Sequence, residues 1–187
     1  MAEPFAGFVP PLPTAVAIVV VTYLVVYPTL TLCHELGHAA FCLRYTDGDV
    51  VVRLGVDPVA RATVGRFTLA VSAFPGLAGG SCSFGAYPGR RTTAAAMFLA
   101  GPAVTGALLC LIGWGVTVAS APPVRFALLL SGVHQAITLA LTALPVEYQS
   151  QLGLTEPAYD GFRSDGDLAI AAWRGADLAT DPGRDGE

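Results

Sequence analysis

Residues 15–43 read AVAIVVVTYLVVYPTLTLCHELGHAAFCL. From Phe5 to Cys33 there is no charged residue, and Ala15 to Cys33 is nearly unbroken Val, Ile, Leu and Ala. A helix needs about 20 apolar residues to cross a bilayer, and this run has that length. The apolar pattern resumes after His38 with Ala39-Ala40-Phe41-Cys42-Leu43 and stops at Arg44. A second charge-free run covers Thr92 to Val124, ended by Pro122 and Pro123, and a third covers Phe126 to Val146. Over all 187 residues, 53% are hydrophobic and only 13% charged, whereas soluble domains carry about 25% charge. The expectation is an α-helical integral membrane protein with three spans.

Between spans one and two the texture changes. Val50-Val51-Val52-Arg53-Leu54 is β-branched and reads as a strand. Phe67-Thr68-Leu69-Ala70-Val71-Ser72 alternates apolar with small or polar, the period of a half-buried strand. Phe74 to Gly89 is charge-free but broken by Pro75, Gly76, Gly79, Gly80, Gly85 and Pro88. A lipid-facing helix cannot be interrupted that often, because the freed backbone groups would find no partner. The segment therefore reads as a re-entrant or interfacial loop, and the insert as a small β-hairpin with that loop. After Pro145 the chain turns polar and acidic, with a short apolar helix near Leu168 to Trp173. Residues 1–175 read as one membrane-embedded domain and 176–187 as a polar, disordered tail.

Charge sets topology and excludes partners. The chain has no Lys, so all ten cations are Arg. With so much Ala, Gly and Val, this usage suits a GC-rich bacterial genome. Arg44, Arg53, Arg61, Arg66, Arg90 and Arg91 lie between spans one and two, and Arg163, Arg174 and Arg184 follow span three. By the positive-inside rule the insert and C-terminus are cytoplasmic and the N-terminus is outside, in a multi-pass plasma-membrane protein. No basic face of the kind that tracks phosphates is present, so nucleic acid is not an expected partner. No cation precedes the first apolar run, so it does not read as a secretory signal peptide. Cys33, Cys42, Cys82 and Cys110 form no CxxC pair, and most lie in apolar stretches, so they read as small hydrophobes.

His34-Glu35-Leu36-Gly37-His38 carries the chemistry. HExxH on a helix puts two imidazoles on one face, within reach of one ion, with a carboxylate beside them. Neutral imidazoles bind Zn²⁺, and a catalytic site keeps one position open for water. Such an ion brings the pKa of its water to about 7, so Glu35 suffices as general base. The pattern arises by chance in a chain this long well under about 1% of the time on average residue usage. Ionisable residues inside a span are functional candidates by default. A third ligand is needed. The longer HExxHxxGxxH pattern is excluded, because Phe41 and Arg44 stand where its Gly and last His belong. Candidates are Asp160, Asp165 and, within span three, His134.

The chain resembles the site-2 proteases, intramembrane zinc metalloproteases, from about Thr14 to Trp173. The resemblance rests on HELGH in the first span, the strand-and-loop insert, Ala100-Gly101-Pro102 in the second span, and a Pro ending the third span ahead of an Asp-Gly. It implies a three-span metalloprotease core and a transmembrane or membrane-adjacent peptide substrate. It also implies His34 and His38 as zinc ligands and Glu35 as catalytic base. Ser164-Asp165-Gly166-Asp167-Leu168 matches compact relatives and favours Asp165 as third ligand over Asp160 and His134. The family's Asn-x-x-Pro is replaced by Thr142-Ala143-Leu144-Pro145, so a substrate-orienting Asn is missing, with His134 or Gln135 as polar substitutes. A different class, a non-catalytic zinc-binding membrane protein of regulatory or scaffold role, stands as the alternative. A soluble zinc protease would not carry three charge-free runs. The substrate itself is not encoded in any recognisable accessory domain.

Overall fold

A computed structural model describes residues 10–75, 79–147 and 163–176. The first apolar run is one rod, Leu12–Tyr45. It comprises α1 (Leu12–Val21), a π-helical turn (Thr22–Val26) and α2 (Tyr27–Tyr45). Pro28 has no N–H to give to the preceding turn. The helix widens just before it, where the Tyr27 N–H reaches back five residues to the Thr22 carbonyl. At the far end, Arg66 donates to the carbonyls of Leu43, Thr46 and Gly48 at 2.9, 2.7 and 2.9 Å. A cation at the carbonyl-rich end of a helix satisfies acceptors that the helix itself cannot.

The insert is a four-stranded mixed sheet rather than a small hairpin with a re-entrant loop. Its strands are β1 (Val50–Leu54), β2 (Pro58–Val64), β3 (Phe67–Ser72) and β4 (Gly80–Phe84), in the order β2-β3-β1-β4. β2 and β3 are antiparallel, β1 and β3 parallel, β1 and β4 antiparallel. The strands expected at Val50–Leu54 and Phe67–Ser72 are present. β2 escaped notice because PVARATV is exposed along its whole length and carries no burial alternation. β4, inside the expected loop, reads GSCSF and has no β-branched residue. It is a strand because the open side of β1 pairs with it, and such context outweighs propensity.

The long apolar helices α3 (Arg91–Val118) and α4 (Pro122–Ala143) follow. The second run was expected to reach Val124, but α3 stops at Val118 and the two prolines open α4. Proline's fixed φ and missing N–H cost nothing in a first helical turn, so Pro122-Pro123 starts a helix here instead of ending one. α4 ends at Ala143, short of the expected Val146. The last element, α5 (Asp165–Arg174), closes on Gly175 in the left-handed region at φ 80°. Asp160 and residues 177–187, most of the expected tail, lie outside the described residues.

Three helices, Leu12–Tyr45, Arg91–Val118 and Pro122–Ala143, are long and apolar enough to cross a membrane. They expose Val20, Leu24, Leu111, Trp114, Val133 and Ile137. An apolar surface of that extent suits hydrocarbon better than water. The core lies where α2, the sheet, α3 and α5 meet, around Ala39, Cys42, Val50, Val52, Met97, Phe98, Ala169 and Ala172.

Candidate metal centre

His34 and His38 lie one turn apart on α2 and are both buried. Each ring is oriented through its Nδ1. His34 Nδ1 lies 2.7 Å from Thr105 Oγ1. His38 Nδ1 lies 2.9 Å from the Met97 carbonyl. A carbonyl only accepts, so His38 Nδ1 carries a proton, and Nε2 is the ring nitrogen that can give up its own proton to take an ion. Partners of this kind fix the tautomer and ring angle of metal-binding histidines.

Two glycines bring α3 close enough for this. A methyl on Gly37 would sit 2.8 Å from the Ala100 carbonyl oxygen. A methyl on Gly101 would overlap His38 Nε2 and approach His34 Nε2 to 2.7 Å. Ala100-Gly101-Pro102 thus has a spatial reason independent of any chemistry of its own: the backbone of α3 passes over both imidazoles.

The third group arrives from outside the long helices. Ser164, fully buried, caps α5: its Oγ accepts from the N–H of Asp167 and of Val146 and donates to the Leu144 carbonyl. Gly166 lies against the Ala143 carbonyl with no space for a side chain. Together they lock the start of α5 to the end of α4 and aim Asp165 at the histidines. Asp165 Oδ2 is 3.2 Å from His34 Nε2 and 3.3 Å from His38 Nε2, and the two Nε2 atoms are 3.3 Å apart. Burial works to raise the Asp165 pKa. The charge of His38 and hydrogen bonds from both imidazoles outweigh it and hold the carboxyl down at about 2.

These three donors form the group of metal-capable side chains found among the described residues. Donors about 2.0–2.1 Å from a tetrahedral ion are separated by about 3.3 Å. The triangle of 3.2, 3.3 and 3.3 Å therefore fits one ion capping it, with a fourth position open. Glu35 stands beside the cluster, buried, and is not part of it. His134 is elsewhere: its ring stacks on Tyr27 at 3.8 Å between centroids and 9° between planes. Gln135 is buried in α4, with its side-chain nitrogen lacking a hydrogen-bond partner among the described residues. Asp160 lies outside the described residues.

Sequence reasoning did not find Thr105, the Met97 carbonyl or the capping role of Ser164. A Thr in an apolar helix is commonplace, and a backbone carbonyl has no residue signature. Ser164 was visible as a capping residue, since Ser ahead of an Asp-containing first turn marks a helix start. No protein-family model, curated protein or solved structure matches this chain.

Proposed function

We propose that this protein is an intramembrane zinc metalloendopeptidase of the site-2 protease type, with Glu35 as general base. The observation that carries the reading is the convergence of Asp165, from α5, on His34 and His38 beside Glu35 in the apolar helix Leu12–Tyr45. Two imidazoles and one carboxylate are a donor set suited to Zn²⁺, and three protein ligands are characteristic of catalytic rather than structural zinc. A Zn²⁺ held there would supply Lewis acidity, acidifying water and polarising a peptide carbonyl. Glu35 takes the proton and returns it to the leaving amine. His34 and His38 would hold the ion through Nε2, while Thr105 and Met97 keep the rings turned. Asp165, already ionised, contributes the negative charge.

Placement in the membrane supports a membrane-embedded substrate. Ionisable groups within a span are costly and are retained for function. The Arg distribution supports a plasma-membrane protein with insert and C-terminus in the cytoplasm, which puts the site near the inner face. The second reading, a non-catalytic zinc-binding membrane protein, leaves Glu35 without a purpose, because a structural site needs no base.

Purified in detergent, the wild-type chain should hold one zinc per molecule. Glu35→Gln should keep that zinc and abolish cleavage. Membrane-peptide proteomics of cells expressing wild type or Glu35→Gln would expose substrates, as full-length spans that accumulate with the variant. Proteolysis that persists in Glu35→Gln eliminates the mechanism. A wild-type chain with zinc but no differential substrate favours the second reading.

A further inference from the structure

We propose that Gly80 is a positioning residue for Glu35, its missing side chain setting the direction of the catalytic carboxylate; the proposal rests on the metallopeptidase reading above. The glycine-rich stretch that holds it matches no phosphate or dinucleotide spacing, and the residues of the metal cluster give it no task. The packing supplies one. A methyl on Gly80 would lie 2.9 Å from Glu35 Cγ, 2.9 Å from Thr31 Cγ2 and 3.0 Å from Glu35 Oε1. Real Cβ contacts do not come that close, so β4 rests its bare backbone on the Glu35 side chain.

The placement is built in on both sides of Gly80. Gly79 takes φ 65°, which a residue with a side chain rarely adopts. Its carbonyl accepts from the Gly55 N–H at 2.9 Å. Gly80 then pairs with Leu54 as the first rung of β4 on β1. The strand is therefore anchored to the sheet where it meets α2. Among the described residues the Glu35 carboxylate has no hydrogen-bond partner. A Glu chain has three rotatable bonds, and a base displaced by about 1 Å can lose two orders of magnitude in rate. Contact with the bare backbone of Gly80 is what restrains it.

The test uses Co²⁺-loaded full-length protein in detergent, titrated with acetohydroxamate and read by the cobalt visible spectrum. The probe chelates the ion and donates its hydroxyl proton to a carboxylate beside it, so its affinity reports where Glu35 points. Gly80→Ala should still bind one Co²⁺ but bind acetohydroxamate about ten-fold more weakly, as Glu35→Gln does. In a Glu35→Asp background, one methylene shorter, adding Gly80→Ala should change affinity less than about two-fold, a coupling expected only of residues in contact. Adding Thr31→Ser to Gly80→Ala, which relieves only the Thr31 contact, should restore nothing.

Wild-type affinity in Gly80→Ala overturns the proposal, and so does recovery with Thr31→Ser. If Gly80→Ala binds no cobalt, the Glu35→Asp/Gly80→Ala protein decides: cobalt binding there sustains the proposal, and none overturns it. A wild-type chain that binds no Co²⁺ removes the metallopeptidase reading and this proposal together. Wild-type hydroxamate affinity in Glu35→Gln removes the base role of Glu35 itself.

Discussion

Gly101 lies so close to the edge of the His38 ring that a methyl group there would overlap Nε2, and that group would stand 2.7 Å from His34 Nε2 as well. If the helix carrying Gly101 retreated, it would open its close packing of the Ala100 carbonyl on the Gly37 backbone. Gly101→Ala should therefore act on the metal site before it acts on the fold. Overpacking of this kind costs about 1–3 kcal/mol. The expected outcome is near-complete loss of bound zinc with helical circular dichroism retained. Full zinc content in the variant would show that α3 can move away.

Thr105 is the buried partner of His34 Nδ1, at 2.7 Å. Thr105→Val keeps the shape and removes the hydroxyl, leaving His34 Nδ1 unpaired in a low-dielectric site. Loss of such an outer partner costs about 10- to 100-fold in metal affinity. Thr105→Ser, which keeps the oxygen, should bind zinc close to wild type. Chelator competition measures both, and equal affinity in the Val variant would mean the hydroxyl does not orient the ring.

The three long helices and the HELGH turn were legible from composition and period alone, since charge-free runs near 20 residues have few other readings. Asp165 was picked out by Ser-Asp-Gly, and its approach to the two histidines follows from Ser164 capping and the bare Gly166 backbone. Other features were hidden for physical reasons. β2 is exposed throughout and β4 has no β-branched side chain, so only pairing with β3 and β1 reveals them. Pro122-Pro123 can stop a helix or start one, and the choice depends on where the preceding helix runs out. Gly80 and Gly101 matter through atoms they lack, which no residue pattern displays.

Arg66 makes a contrasting prediction, because it serves the fold and not the metal. Its guanidinium caps three carbonyls at the end of α2, those of Leu43, Thr46 and Gly48. Hydrogen bonds from a charged donor are each worth about 1.5–3 kcal/mol, and they do not add fully. Arg66→Gln should lower stability by about 2 kcal/mol, seen as a lower unfolding temperature in detergent, with one zinc still bound per chain. Arg66→Lys should fall between, since an ammonium lacks the planar fork. Zinc loss without a fall in unfolding temperature would reassign Arg66 to the site.

Ser164 joins fold and candidate site, and its removal should separate Asp165 from the two histidines. Its Oγ accepts from two N–H groups and donates to a carbonyl, all at the junction of α4 and α5. Ser164→Ala loses an N-cap, about 1 kcal/mol. It also strands buried polar groups of the backbone, at about 1–3 kcal/mol. Asp165 is the first residue of α5, so fraying there displaces the carboxylate while His34 and His38, fixed from α3, stay in place. Zinc affinity should fall about ten-fold, and the amides of 165–168 should exchange hydrogen faster. The two changes should appear together. Faster exchange with unchanged affinity would mean that Asp165 is not held to the ion through the cap, and that the two histidines need a different third ligand.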